Sequence, residues 1–233
     1  MNKMKETLQA GLPALGLTLP ARTVDRLCAF GEAVVKQNAV MNLTAITEPE
    51  AVAKLHLLDS LTVLSVADLK GKTVVDVGCG AGFPGVPAAI ACPDANVTLL
   101  DSLGKRMNWL ESVLPQLDVR ANCVTARAEE AVTQYRETFD FATSRAVARL
   151  NILLELTAPY VRVGGAVLAL KGSAAREELA EARNAVKKLG LQVEEIRDFD
   201  FDGAVHSVIV LRKVAHTPAQ YPRRYAKIKQ SPL

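Results

Sequence analysis

Three glycines spaced G-x-G-x-G carry the first chemical signal, in the run Asp76-Val-Gly-Cys-Gly-Ala-Gly-Phe-Pro-Gly85. Gly78, Gly80 and Gly82 directly follow an apolar, β-branched stretch and open a helical one. Glycine permits a tight turn and removes the Cβ that would keep a backbone away from a ligand. Asp101 ends the next apolar stretch, 19 residues after Gly82. A carboxylate there can accept both hydroxyls of a ribose. Loop and acid together point to a nucleoside-containing cofactor. Dinucleotides call for G-x-G-x-x-G, which seats a pyrophosphate on a helix N-terminus. The shorter spacing here, preceded by Asp76, argues against one. Phe83 is open to two readings, packing in the core or lining the cofactor pocket, and Pro84 suits a first helical turn.

Cations supply the second signal. Arg145 follows Thr143-Ser144 at the end of a strand-like run and has no acid close by in sequence; its guanidinium suits a phosphate or a guanine edge. Lys105 and Arg106 begin a helix beside the expected cleft, where phosphate contact competes with plain solvation. Lys171 is placed similarly, at the end of another strand. His56 and Asp59 lie one helical turn apart and either pair at the surface or face the cofactor loop. Trp109 reads as a core residue. Six Lys/Arg and no acid fall between Arg212 and Leu233, among them Arg223 and Arg224. Without those six the chain would carry 22 basic and 25 acidic residues, so its positive charge lies at one end. That fits a polyanionic partner, or a solvated tail.

The elements that must hold these groups divide into two regimes. Residues 1–66 read as helical: Val24, Leu27, Cys28, Val34 and Val35 recur near a period of 3.6. Thr47-Glu-Pro-Glu50 resembles a capping box, with Ala51, Val52, Leu55 and Leu58 facing inward behind it. From Thr73, strands are expected at 73–77, 97–100, 119–125, 139–143, 166–170, 192–199 and 205–211. Helices are expected between them at 84–91, 105–114, 129–136, 150–160 and 174–189. Such alternation predicts an α/β, Rossmann-like, mainly parallel seven-stranded sheet with helices on both faces. Only Phe201-Asp-Gly-Ala204 separates the last two runs, so the seventh strand should be antiparallel. The expected division is a helical extension (1–66), a core (67–213) and a basic tail (214–233).

With 49% hydrophobic and 23% charged residues, the composition is that of a soluble globular protein. No apolar run is long enough to span a bilayer, and the first residues lack a signal-peptide core, so a cytoplasmic protein with no membrane association is expected. Cys28, Cys79, Cys92 and Cys123 form no C-x-x-C pair and read as small buried residues; with three histidines, no metal site is expected.

The glycine loop resembles motif I of class I S-adenosylmethionine (SAM)-dependent methyltransferases, whose cofactor has no phosphate to cradle. The end of the fourth strand carries neither the Asn/Asp-Pro-Pro-aromatic motif of exocyclic-amine enzymes nor the nucleophilic Cys of carbon-5 pyrimidine enzymes. That absence is compatible with an acceptor such as guanine N7, whose lone pair needs alignment rather than deprotonation. Positioning also serves many small-molecule methyltransferases, and a non-catalytic RNA-binding factor could keep the same fold.

Six motifs in order then narrow the resemblance: Asn38-x3-Asn42-Leu-Thr, His56-Leu-Leu-Asp-Ser60, the loop continued to Pro87, Leu100-Asp-Ser-Leu-Gly-Lys-Arg106, Ser144-Arg-Ala146 and Leu170-Lys-Gly172. With Tyr221-Pro-Arg-Arg224 they are similar to the glucose-inhibited division protein B family, bacterial 16S rRNA guanine-N7 methyltransferases. The resemblance implies transfer from SAM to N7 of guanine 527 (ribosomal numbering), on the 30S subunit or an assembly intermediate, by a monomer. It puts Gly78 and Phe83 at the cofactor, Asp101 and Ser102 at its ribose, Ala128 and Glu129 near its adenine, and Arg145 between cofactor and RNA. Asp76, Gly80 and Gly82 join the cofactor set through the loop; Lys105, Arg106, Lys171, Arg223 and Arg224 form the RNA-binding set. Gln37 stands where many relatives carry Trp, and Tyr225 where they carry Gly.

Overall fold

A computed structural model describes residues 2–233. Its sheet has seven strands in the order β3-β2-β1-β4-β5-β7-β6: β1 (Thr73–Val77), β2 (Asn96–Asp101), β3 (Asn122–Thr125), β4 (Phe139–Arg145), β5 (Val161–Lys171), β6 (Leu191–Phe201) and β7 (Ala204–Lys213). β1–β5 run parallel, and β7 is antiparallel to both β5 and β6. Asp202 (φ 55°) and Gly203 (φ 88°) close the β6–β7 hairpin. A two-residue turn with both φ values positive matches the strands' twist.

Helices cover both faces. On one lie α1 (Lys3–Gly11), α2 (Ala21–Met41), the helical run Pro49–Val66, α5 (Gly85–Ala91) and α6 (Gly104–Val113). The other carries α7 (Ala128–Tyr135), α8 (Leu150–Thr157), α9 (Ala175–Glu181) and α10 (Arg183–Lys188). Phe30, Leu57 and Leu61 of the N-terminal helices share one core with Val74 and Leu99 of the sheet. The extension is therefore fused to the sheet. A short α11 (Tyr225–Gln230) closes the chain, with Ile228 fully buried.

Four expectations are corrected. The capping box does not form: Pro49 takes the first helical position, Glu48 becomes the N-cap, and no side chain caps the turn. The run Pro49–Val66 is not a regular helix, because α3 (Pro49–Val52) and α4 (Asp59–Val66) are joined by a π-helical segment, Ala53–Leu58. The wider turn shifts the inward face, so Ala53, His56 and Leu57 are buried while Ala51 and Leu55 are only partly so. The expected helix 174–189 breaks at Ala182 into α9 and α10. Finally, the tail is not a free basic appendage. Arg212 pairs with Glu194, the buried Lys213 with Glu137, and Arg223 with Glu155. Half of the six cations that gave the tail its charge are thus paired with acids from elsewhere in the chain.

Candidate active site

The carboxyl ends of β1, β2 and β4 frame a cleft of about 450 Å³. β1 lies between β2 and β4, where the strand order reverses, which is where open α/β sheets bind ligands. The glycine loop forms its floor. Gly78 (φ 71°) and Gly80 (φ 57°) adopt left-handed backbone that side chains resist. A Cβ on Gly78 would also sit 2.5 Å from Val147. Asp101 locks the loop from the neighbouring strand β2: one carboxylate oxygen accepts from the Gly80 N–H and the other from the Leu103 N–H, both at 2.9 Å. Each oxygen keeps a further lone pair beside the cleft.

Gly78, Gly80, Phe83, Asp101, Ser102, Ala128, Glu129 and Arg145 all line this cleft. Asp76 and Gly82, expected in the same set, do not. Gly82 faces inward, where a Cβ would meet Val86 at 2.7 Å and Leu110 at 3.0 Å. Asp76 is wholly buried under the loop and accepts from the Gly85 N–H (2.8 Å) and the Thr143 hydroxyl (3.2 Å). It joins β1, β4 and the start of α5 rather than touching a ligand. Burial pushes its carboxyl up to about 7, against the pull of those two hydrogen bonds.

That placement makes Asp76→Asn mild. The amide oxygen can accept from Gly85 and the amide nitrogen donate to Thr143, so stability should stay within about 1 kcal/mol of wild type. Asp76→Ala strands the buried Gly85 N–H and should cost about 1–3 kcal/mol. Urea unfolding of the two variants checks the pair. A stable Asp76→Asn protein that binds no cofactor would instead put Asp76 in contact with it.

Arg145, at the end of β4, is the centre of the site and is far from lacking acidic company. Its Nη1 donates to Asp59 Oδ2 (2.7 Å) and to the Leu55 carbonyl (2.8 Å), and its Nη2 lies 3.2 Å from His56 Nδ1. The guanidinium also covers the Phe83 ring, 5.0 Å from its centroid. His56 stacks on that same ring at 4.7 Å. His56 Nδ1 stands between a donor, Arg145 Nη2 (3.2 Å), and an acceptor, the Leu55 carbonyl (3.1 Å), while its Nε2 is 2.7 Å from Thr44 Oγ1. Burial and the Arg145 charge hold His56 down to about 4, so it is neutral. Asp59, equally buried, spends its second oxygen on His206 Nδ1 at 2.7 Å. That hydrogen bond raises the His206 pKa.

His56 and Asp59 thus face the cofactor loop, carried there by the π-helical segment. Thr44, His206 and Tyr225 are site residues that the sequence reading missed. Thr44 had a signal: its N–H donates to Asn38 Oδ1 at 2.8 Å, within the Asn38-x3-Asn42-Leu-Thr motif. His206 comes from the β6–β7 hairpin and had none. Tyr225, on the tail, lines the same cleft as Ala128, Glu129 and Leu156. Trp109 is partly buried and stacks on Phe30, a packing role.

A second cleft of about 580 Å³ adjoins the first and shares Leu43, His56, Arg145, Ala146 and Val147 with it. Ala146 holds a left-handed φ of 56° at this junction, a costly conformation for a residue with a Cβ. Among the RNA-binding candidates, Lys105 and Arg106 make no ion pair among the described residues, and Arg106 lines the first cleft. Arg224 is exposed. Lys171 and Arg223 are corrected: Lys171 is bonded to Glu178 and the Ala148 carbonyl, and Arg223 to Glu155. Neither offers a free charge to a phosphate.

The comparisons agree with this geometry. A family model described as GidB, rRNA small subunit methyltransferase G, matches residues 23–204. "Ribosomal RNA small subunit methyltransferase G" of Desulfitobacterium hafniense is 42% identical over 94% of this chain and 93% of its own length. That of Caldanaerobacter subterraneus is 41% identical over 99% of both. Among solved structures, a putative methyltransferase from Bacillus halodurans aligns with a TM-score of 0.55 at 14% identity, over 67% of this chain and 99% of that one. M. jannaschii TYW2 in complex with AdoMet gives 0.52 at 14%, over 64% and 72%. These distant structures speak for the fold alone. A match over most of the chain and near-full-length relatives at about 40% identity leave no ambiguity: the chain belongs to the rRNA small subunit methyltransferase G family.

Proposed function

We propose that this protein transfers the methyl group of S-adenosylmethionine to N7 of guanine 527 in 16S RNA. The observation that carries the reading is the pair of clefts meeting at Arg145, Ala146 and Val147. Such a junction lets a cofactor and an acceptor base approach each other through a shared wall. The first cleft fits the cofactor: glycine backbone without Cβ atoms, Asp101 with spare lone pairs for a ribose, and Glu129 beside apolar Ala128 and Leu156 for a purine. When bound, the cofactor supplies an electrophilic methyl on a sulfonium.

The protein's own part is alignment. An N7 lone pair carries no proton, so no base is required, and the residues at the junction are not arranged as one. Both ring nitrogens of the neutral His56 are held within the protein, by Arg145, Leu55 and Thr44, and both Asp59 oxygens are engaged. Arg145 is clamped by three partners and a ring face, which fixes the wall against which donor and acceptor meet. Lys105, Arg106 and Arg224 would hold phosphates around the mouth. In this reading residues 1–66 and 214–233 are wall-forming additions to the core 67–213, and the protein acts as a cytoplasmic monomer on the 30S subunit or an assembly intermediate. Among the described residues no helix is long and apolar enough to cross a membrane.

Incubation with tritiated cofactor and 30S subunits from a strain lacking the modification tests this directly. Label at N7 of guanine 527 is expected. Label elsewhere would move the site, and absence of label would leave a binding protein without the transfer.

A further inference from the structure

The second cleft has walls that the first does not share: Asp59, Lys171, Glu178 and His206 line it alone. Taking as its basis the proposed transfer to guanine N7, the geometry fixes which edge of the base meets them. N7 must face the junction with the cofactor cleft. The N1 and N2 positions lie on the opposite side of the purine and point at the unshared walls.

Among those walls, the Lys171–Glu178 pair sets an available donor beside an available acceptor. Lys171 Nζ donates to the Ala148 carbonyl (2.6 Å) and is ion-paired with Glu178 Oε2 (2.8 Å), so its three protons are not all spent on that carbonyl. Glu178 Oε2 also accepts from the Leu150 N–H at 2.7 Å, whereas Oε1 has no hydrogen bond among the described residues. The side chains are only 6% and 16% exposed, so an available donor and an available acceptor sit side by side in a largely water-excluded wall. Asp59 has no such spare oxygen.

We propose that the Lys171–Glu178 pair reads the Watson–Crick edge of the acceptor guanine. Glu178 Oε1 accepts from N1–H and the N2 amino group, and Lys171 donates to O6. Adenine held in the same orientation presents the reverse pattern, an amino group toward the lysine and a bare N1 toward the carboxylate. The pair therefore both rewards guanine and repels adenine, which gives stronger discrimination than attraction alone. Lys171, set aside above as a phosphate contact, acquires a use consistent with its burial.

Glu178→Gln is the informative variant. Its amide oxygen can keep the bonds to Leu150 and Lys171, which turns the amide N–H2 toward the base and faces donor with donor. kcat/KM on 30S subunits reconstituted with guanosine at the target should fall about 10- to 100-fold. The dissociation constant for S-adenosylmethionine should stay unchanged, showing an intact cofactor cleft. Subunits carrying inosine, which lacks the N2 amino group, separate recognition from structure. Wild type should prefer guanosine to inosine by about tenfold, and Glu178→Gln should lose that preference. A wild-type rate in the variant, or an equal loss on both substrates that leaves the ratio intact, overturns the pair's reading role alone. Failure of the wild-type protein to label guanine N7 at all overturns this proposal together with the function on which it rests.

Discussion

Arg145→Ala should lower kcat/KM for methyl transfer by about 10²–10³-fold, because misplacing a junction by an ångström costs on that scale. The loss has two sources that can be separated. First, the guanidinium reaches the Leu55 carbonyl, Asp59, His56 and the Phe83 ring together. Lysine, a point charge with a single nitrogen, cannot satisfy that fork, so Arg145→Lys should recover little of the rate. Second, the alanine variant leaves Asp59, only 3% exposed, with His206 as its one remaining side-chain partner among the described residues. Removing one member of a buried pair costs about 3–5 kcal/mol, and the retained His206 contact should keep the loss near the lower end. Denaturant unfolding reads the stability term, and single-turnover transfer at a temperature where both proteins stay folded reads the catalytic one. An Arg145→Ala protein that transfers at the wild-type rate removes this residue from the mechanism.

The same residue shows where a linear reading of the chain succeeds and where it stops. The glycine loop, Asp101, the strand alternation and the final hairpin were legible because each is a local event. Glycine spacing sets a turn, period-2 and period-3.6 patterns set elements, and a two-residue gap sets a hairpin. Arg145 was also singled out, but on the premise that no acid lay near it. Asp59 is 86 positions away in the chain and arrives through a π-helical segment that the apolar periodicity of 49–66 does not announce. Asp76 was misplaced for a related reason. Its position beside the glycines suggested a ligand contact, while its actual partners, Gly85 and Thr143, belong to the next helix and the fourth strand. Charge counting erred most at the tail, since a run without acids looks free until the fold supplies acids from elsewhere.

Arg223→Ala should turn that last point into a measurable loss of both stability and cofactor affinity. Glu155, on α8, is completely buried, and Arg223 reaches it three times: through its backbone N–H (2.9 Å), its Nε (2.8 Å) and its Nη2 (2.6 Å). The alanine variant keeps only the backbone bond and leaves a carboxylate without a countercharge in the core. A cost of about 3–5 kcal/mol follows. Because Tyr225 stands two residues on and forms part of the cofactor cleft, loosening this anchor should also withdraw the ring and weaken binding by about tenfold. Two further variants divide the effects. Tyr225→Ala should lose affinity with little change in stability. The double replacement Glu155→Leu with Arg223→Met exchanges the ion pair for apolar groups of similar size, which buried pairs often tolerate, and should restore most of the stability. If that apolar pair also seats α11, affinity returns with it. Calorimetric titration of the cofactor and thermal unfolding of the four proteins give the answer. Wild-type affinity in Arg223→Ala would mean that the tail merely lies against the cleft, whereas a coupled loss would make residues 214–233 part of the binding site rather than a basic appendage to it.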